Sequence, residues 1–292
     1  MPNLPMPKTT PFAGCFTDDD GSALVFLGLA DDTQSTYLSG CAGGPAAIRS
    51  AYDGNCFNAT TESGVDLARA VSDLGDRYPG DSWEASARDY KERTEALFEA
   101  GRIPFIAGGD HAVTIPVVEA LEVLEQPIHV IQVDAHPDLY PDFEGNRFSH
   151  ACTGARILEM DHVASLTQLG IRTMNAVQSP ALERYADRLV IHEARELPAE
   201  IPELTHIPED ALVYITIDMD GFDPAFAPGV SHAVPGGLTS RQVLDFLQRG
   251  QWTLVGMDVV EVNPSRDVND QTAILAARLL HEGMGFAAMD TD

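Results

Sequence analysis

Seven short apolar runs, rich in β-branched residues, punctuate the chain: ALVFLGLA at 23–30, IPFIAGG at 103–109, IHVIQVD at 128–134, LTQLGIR at 166–172, LVIH at 189–192, ALVYITID at 211–218 and TLVGMDVVEV at 253–262. They are continuous rather than strictly alternating, the pattern of strands covered on both faces. Helical segments lie between or after them. SWEASARDYKERTEALFEAG at 82–101 begins with a Ser cap and ends at Gly101, and TSRQVLDFLQRG at 239–250 and NDQTAILAARLLHEGMG at 269–285 have similar starts and stops. Strands alternating with helices predict an α/β fold built on a mostly parallel, helix-covered sheet. No linker or repeat divides the 292 residues, which are expected to form one domain with an irregular segment at 1–22.

Composition adds two constraints. The formal net charge is −27, and Lys8 and Lys91 are the only lysines, so the surface repels nucleic acid and anionic membranes. The acids are spread along the chain rather than gathered in a block, which favours a surface adapted to concentrated salt over an acidic tail for a partner. Cys15, Cys41, Cys56 and Cys152 are scattered, form no CxxC pair and read as ordinary thiols. No apolar run approaches the roughly 20 residues that span a bilayer, and the N-terminal prolines do not suit a secretory signal, so a cytoplasmic protein is expected.

In open parallel sheets, ligands bind beyond the carboxyl ends of the strands. Four of the apolar runs end there in acids or histidines: Asp110 and His111; Asp134, His136 and Asp138; Asp218, Asp220 and Asp223; Asp258 and Glu261. Alternate residues of an extended segment project to the same side, so each DxHxD or DxD triplet aims its side chains together. A lone DxD is weak evidence, because Asp commonly closes a turn. Collecting all these carboxylates without cations would cost more than hydrogen bonds return, and a divalent-metal site resolves the conflict. His111, Asp134, His136, Asp138, Asp218 and Asp220 form a hard, oxygen-rich set without thiolate, better suited to Mn²⁺ than to structural Zn²⁺. Six side chains exceed what one catalytic ion needs; two ions about 3.5 Å apart would use them all.

The motifs GGDHA, DAHPD and ITIDMDGFDP, with VVEVNP near the C-terminus, resemble the ureohydrolases, the family of arginase and agmatinase. SGCAGGPAAIR at 39–49 resembles the N-terminal stretch typical of agmatinases, and the likeness runs from about residue 26 to about residue 285. The resemblance implies a three-layer arginase/deacetylase-like fold whose central sheet has about eight strands. It also implies two Mn²⁺ per chain, one on His111, Asp134, Asp138 and Asp218 and the other on Asp134, His136, Asp218 and Asp220. Asp134 and Asp218 would bridge. A metal-bridging hydroxide would attack the guanidinium carbon, releasing urea and an amine. Glu261 would face the guanidinium, Asp138 would carry a proton to the leaving amine, and His150 would shuttle protons near the mouth. His150 and Asn146, within NRFSHACTG, are the further expected substrate contacts, and a homo-oligomer, a trimer or hexamer, is implied by family.

The loop DLYPDFEGNRFSHACTGARI and the PGG of HAVPGGLTSRQV look agmatinase-like, which implies agmatine as substrate and putrescine as product, a polyamine-forming step. Guanidinobutyrate, guanidinopropionate, arginine and formimino compounds are the alternatives. Pro137 stands where the family usually has Thr, Ala112 where it usually has Ser, and the loops after His150 and Asp223 also depart from the agmatinase pattern. A single-zinc deacetylase and a non-catalytic scaffold are the rival classes, disfavoured by the complete six-ligand set. Asp110, Asp223 and Asp258 are expected to be structural. The same holds for His129, His162, His192, His206 and His281, whereas His232 follows the DxD strand and is placed near the pocket.

The dispersed acidity makes stability salt-dependent: unfolding midpoints measured from low to molar KCl are expected to rise, and a fall would remove the high-salt reading.

Overall fold

The computed structural model describes residues 10–55 and 57–289. Nine strands, β1 (Phe16–Thr17), β2 (Leu24–Leu29), β3 (Val71–Arg77), β4 (Ile103–Ala107), β5 (Ile128–Val133), β6 (Val163–Ile171), β7 (Leu189–Glu193), β8 (Leu212–Asp218) and β9 (Thr253–Val260), form one sheet in the order β1-β3-β2-β4-β9-β8-β5-β6-β7. Every pairing is parallel. The helices are α1 (Gly44–Ala51), α2 (Trp83–Glu99), α3 (Thr114–Ala120), α4 (Thr153–Leu158), α5 (Pro180–Arg184), α6 (Ser240–Gln248) and α7 (Gln271–Met289).

Period-two alternation divides the strand side chains between two cores. Phe105, Ile131, Ile215 and Met257 pack on one face with Ala276 and Leu280 of α7 and Val243 of α6. Ile106, Val130 and Tyr214 pack on the other with Tyr90 of α2, Val117 of α3 and Ile157 of α4. The result is the expected three layers. Capping follows sequence: Ser82 accepts from the Ala85 N–H at the start of α2, and Thr239 with Gln242 forms a reciprocal capping box on α6.

Sequence periodicity misses two strands. β3, VSDLGDR, has the burial of an edge-like strand, with only its first two residues buried, and β1 is two residues long. β7, expected to be covered on both faces, is an edge strand and half-buried throughout. The segment expected to be irregular is also partly ordered. Its residues 1–9 lie outside the described residues, as does Cys56, but Pro11–Gly14 forms a 3-10 turn and Phe16–Thr17 joins β3. Phe12 is fully buried, its ring 5.3 Å from Phe16, 5.2 Å from Phe26 and 5.3 Å from Tyr52. The aromatic cluster anchors this segment together with backbone bonds from the Thr10 and Ala13 N–H groups to the Asp53 and Tyr52 carbonyls. None of the described helices is long and apolar enough to cross a membrane.

The chain passes from β4 to β5 across a gap of two strands, filled later by β8 and β9. Their carboxyl ends therefore meet side by side at a reversal of strand order, where open α/β sheets form crevices. Glycine permits the close approach there: a Cβ on Gly109 would lie 1.9 Å from the Asp31 carbonyl oxygen, and one on Gly221 2.8 Å from the Asp134 nitrogen.

Truncating Phe12 to Ala is expected to cost about 3–5 kcal/mol in denaturant unfolding; a loss under about 1 kcal/mol would show that the N-terminal turn is not anchored by its aromatic cluster.

Candidate metal centre

The four central strands β4, β9, β8 and β5 deliver the sequence-predicted residues to one place. His111 follows β4, Glu261 follows β9, Asp218 ends β8 with Asp220 beyond it, and Asp134, His136 and Asp138 follow β5. All but His136 are buried. Two nests result, one of His111, Asp134 and Asp218 and one of Asp134, His136 and Asp220, each offering ligand atoms within 4.8 Å of one another. Asp134 belongs to both: its Oδ2 lies 3.2 Å from His111 Nδ1 and its Oδ1 3.6 Å from His136 Nδ1. Asp138 Oδ2 and Asp218 Oδ2 reach His111 Nδ1 at 3.2 and 3.4 Å, and Asp220 Oδ2 reaches His136 Nδ1 at 3.0 Å.

The hydrogen bonds behind these side chains determine what they present. The Thr216 hydroxyl donates to Asp258 Oδ1 at 2.6 Å and so accepts from His111 Nε2 at 3.0 Å. That places the imidazole proton on Nε2 and turns the Nδ1 lone pair toward three carboxylates. Nδ1 is buried and makes no hydrogen bond. A lone pair facing anions is repulsive unless a cation stands between them, so this donor set fits a divalent ion. Asp258 also accepts from Tyr214 at 2.7 Å and Thr114 at 2.9 Å, which makes it the buried anchor expected from sequence.

Charge tells the same story. Burial, then the neighbouring Asp220 and Asp134 carboxylates, lifts the Asp218 pKa far above the usual range. Burial and Asp134 raise Asp138 to about 6. Burial would raise Asp134 too, but His111 and His136 outweigh it and hold it low. His136 is disfavoured as a cation by burial, yet Asp220 and Asp134 push it up to about 12.

Above the nests opens a cavity of about 330 Å³, lined by His136, Asp138, Asp218, Asp220, His150 and Glu261 and by side chains from the loops after β5 and β6. Glu261 and Asp138 both hold left-handed backbone, at φ 63° and 51°, strained conformations for non-glycine residues that aim their side chains inward. Glu261 Oε1 accepts from the His111 backbone N–H at 3.0 Å and from His150 Nδ1 at 2.7 Å, while Oε2 accepts from the Cys41 thiol at 3.3 Å. Burial raises Glu261, but His150 and these donors bring it down to about 2. Glu261 in turn overcomes burial to raise His150 to about 9. His150 Nε2 meets the Thr36 hydroxyl at 2.8 Å.

Asn146 stands apart. It is exposed, donates to Gln34 at 2.8 Å and lines an adjoining groove rather than the cavity. His232 lines both, its ring 5.1 Å from His150 and 5.9 Å from His136. Asp110 accepts from Gln34 and Ala112, and Asp223 from Ala225 and Gly236, so both fix turns as expected. His162, His206 and His281 bond Val118, Thr167 and Tyr52, away from the site. Half-buried His129 bonds Ser165.

Sequence reading did not single out Thr216 or Gln132, each two residues before a central aspartate on its own strand. Period two alone puts both on the aspartate's face; Gln132 Nε2 donates to Asp134 Oδ2 at 2.7 Å. Thr36 comes from a distant loop and carries no local signal, whereas Cys41 lies within the SGCAGGPAAIR stretch but reads there as an ordinary thiol.

A parallel three-layer fold with paired carboxylate–imidazole nests over its central strands defines an α/β protein built around a two-metal centre. The chain belongs to the arginase family, whose model matches residues 22–285. It is 38% identical over 271 residues to the mitochondrial arginase of Medicago truncatula, covering 88% of this chain and 79% of that one. To the mitochondrial agmatinase of Gallus gallus it is 30% identical over 279 residues, covering 91% and 81%. The solved agmatine ureohydrolase of Thermoplasma volcanium superposes with a TM-score of 0.82 at 28% identity, covering 98% of this chain and 96% of that one. The chain is thus an arginase-family hydrolase acting on guanidino C–N bonds.

Thr216→Val keeps the side chain's shape and removes the hydroxyl between His111 and Asp258. Divalent-ion affinity by calorimetry is expected to drop about 10- to 100-fold, and an unchanged affinity would remove Thr216 from this role.

Proposed function

We propose that the protein is a binuclear Mn²⁺ hydrolase that splits a terminal guanidino group into urea and an amine. The observation that carries this is the bare Nδ1 of His111, directed by Thr216 and Asp258 at Asp134, Asp138 and Asp218. His111, Asp134, Asp138 and Asp218 would hold one ion and Asp134, His136, Asp218 and Asp220 the other, with the two oxygens of Asp134 already turned to different nests. The ions, when bound, supply Lewis acidity and activate water at neutral pH.

The chain's own groups position the rest. Glu261 is ionised, held by three donors and open to the cavity, so it retains accepting capacity for the N–H groups of a planar guanidinium. Asp138 borders both the nest and the cavity, the place from which a proton reaches the departing nitrogen. His150 links Glu261 to Thr36 on the cavity wall and serves as the proton exchanger toward the mouth.

Two substrates have support. The loops after His136 and Asp223 favour agmatine by their likeness to agmatinases. The higher identity to an arginase than to an agmatinase favours arginine.

With Mn²⁺ added, urea release is expected from at least one of agmatine, arginine and 4-guanidinobutyrate. Glu261→Gln should keep both ions while KM rises more than about tenfold. Metal loading without urea from any guanidino compound would overturn the assignment.

A further inference from the structure

On the β6 side of the cavity, across the acid cluster from Glu261, stand Tyr140, Asn175 and Gln178. Their hydrogen bonds fix which atoms face inward. The Leu139 N–H donates to Gln178 Oε1 at 3.0 Å, so the amide cannot be flipped and Nε2 points away from that bond. Gln178 is only 3% exposed, and Nε2 has no partner among the described residues. Asn175 Oδ1 accepts from the Val177 N–H at 3.0 Å and the Gln178 N–H at 3.3 Å, which sends its Nδ2 to the Tyr140 oxygen at 2.6 Å. The Tyr140 oxygen therefore accepts and has its own proton free. Thr173 beside them spends its proton on the Ala135 carbonyl at 3.0 Å.

The wall thus offers the Gln178 amide N–H groups, the second Asn175 Nδ2–H and the Tyr140 O–H as donors, and its acceptors are neutral oxygens. The acids lining the cavity are Asp138, Asp218, Asp220 and Glu261, all at the metal cluster or on the β9 side of it. An ammonium-ended substrate would meet donors with nothing ionic to receive it. A carboxylate would meet free N–H and O–H groups in a confined site, where each hydrogen bond to an ionised acceptor is strong. Bound divalent ions balance the cluster's carboxylates, so an anionic tail is not repelled.

We propose that Gln178, supported by Asn175 and Tyr140, determines specificity by binding a carboxylate on the substrate's tail. The inference rests on the guanidino-hydrolase reading above and narrows it to guanidino acids such as arginine. It reverses the agmatine expectation drawn from loop resemblance. A substrate whose guanidinium meets Glu261 extends across the cluster with its carboxylate toward this amide wall.

The test compares arginine, 4-guanidinobutyrate and agmatine on the Mn²⁺-loaded protein, by kcat/KM for urea release and by calorimetric binding, which needs no turnover. Both acids are expected to exceed agmatine by about tenfold or more, because a site built to hydrogen-bond a group rejects the analogue lacking it. Gln178→Glu retains the acceptor for the Leu139 N–H but replaces the inward donor with an anion. It should raise the KM for arginine about tenfold or more and lower that for agmatine. Tyr140→Phe keeps the ring against Phe143 and should cut the arginine-over-agmatine ratio by about threefold or more. Wild-type preference for agmatine, in turnover or binding, would overturn the inference while leaving the hydrolase reading intact. So would a ratio unmoved in both variants. Absence of urea from every compound would sink the hydrolase reading instead, and the binding comparison would still decide the role of Gln178.

Discussion

Mutual repulsion among buried carboxylates is the constraint on which the rest of this molecule turns. Asp134, Asp138, Asp218 and Asp220 are buried together around His111 and His136 at the floor of the cavity. No apolar packing compensates for such an arrangement; positive charge must. The hydrogen bonds around the cluster make sense only in that light. Gln132, the Ala135 and His136 backbone N–H groups and the Asp220 N–H each donate to one of these aspartates, fixing its orientation without neutralising it. A divalent cation would then find a rigid, electron-rich seat.

Strand order is what makes the seat possible. Residues far apart in sequence reach it because β9 and β8 slot between β4 and β5, and four adjacent strand ends bring their acids and histidines side by side. The register links the levels directly: Thr216 on β8 lies beside Asp258 on β9, so one backbone alignment sets the tautomer of a histidine from a third strand. Left-handed backbone at Asp138 and Glu261 places the last two side chains, a conformational expense justified by the fixed sheet beneath them.

Much of this was legible in the sequence because burial and chemistry left local marks. Continuous apolar runs located the central strands, and acids at their ends located the cluster. β3 was not legible, because a strand near the edge of the sheet tolerates polar residues and loses the apolar signature. Asn146 was expected at the substrate and lies outside the cavity, since nearness to His150 in sequence says little about direction in a loop. Gln178 illustrates the opposite failure: an amide in a polar turn looks unremarkable until the Leu139 N–H shows which way it faces. Contacts made between loops need the fold before they can be read.

The late insertion of β8 and β9 also governs how the chain acquires its structure. Until those strands form, β4 and β5 have no partners on their facing sides and leave unpaired backbone edges that invite pairing with other chains. The N-terminal strands emerge first from the ribosome but cannot close the sheet alone, and a pairing of β4 directly with β5 would exclude the strands meant to separate them. Dense negative charge on the nascent chain discourages association during that interval. The acidity that marks the finished surface is carried by the unfolded chain as well, so the same like-charge repulsion acts between chains whose strand edges are still open.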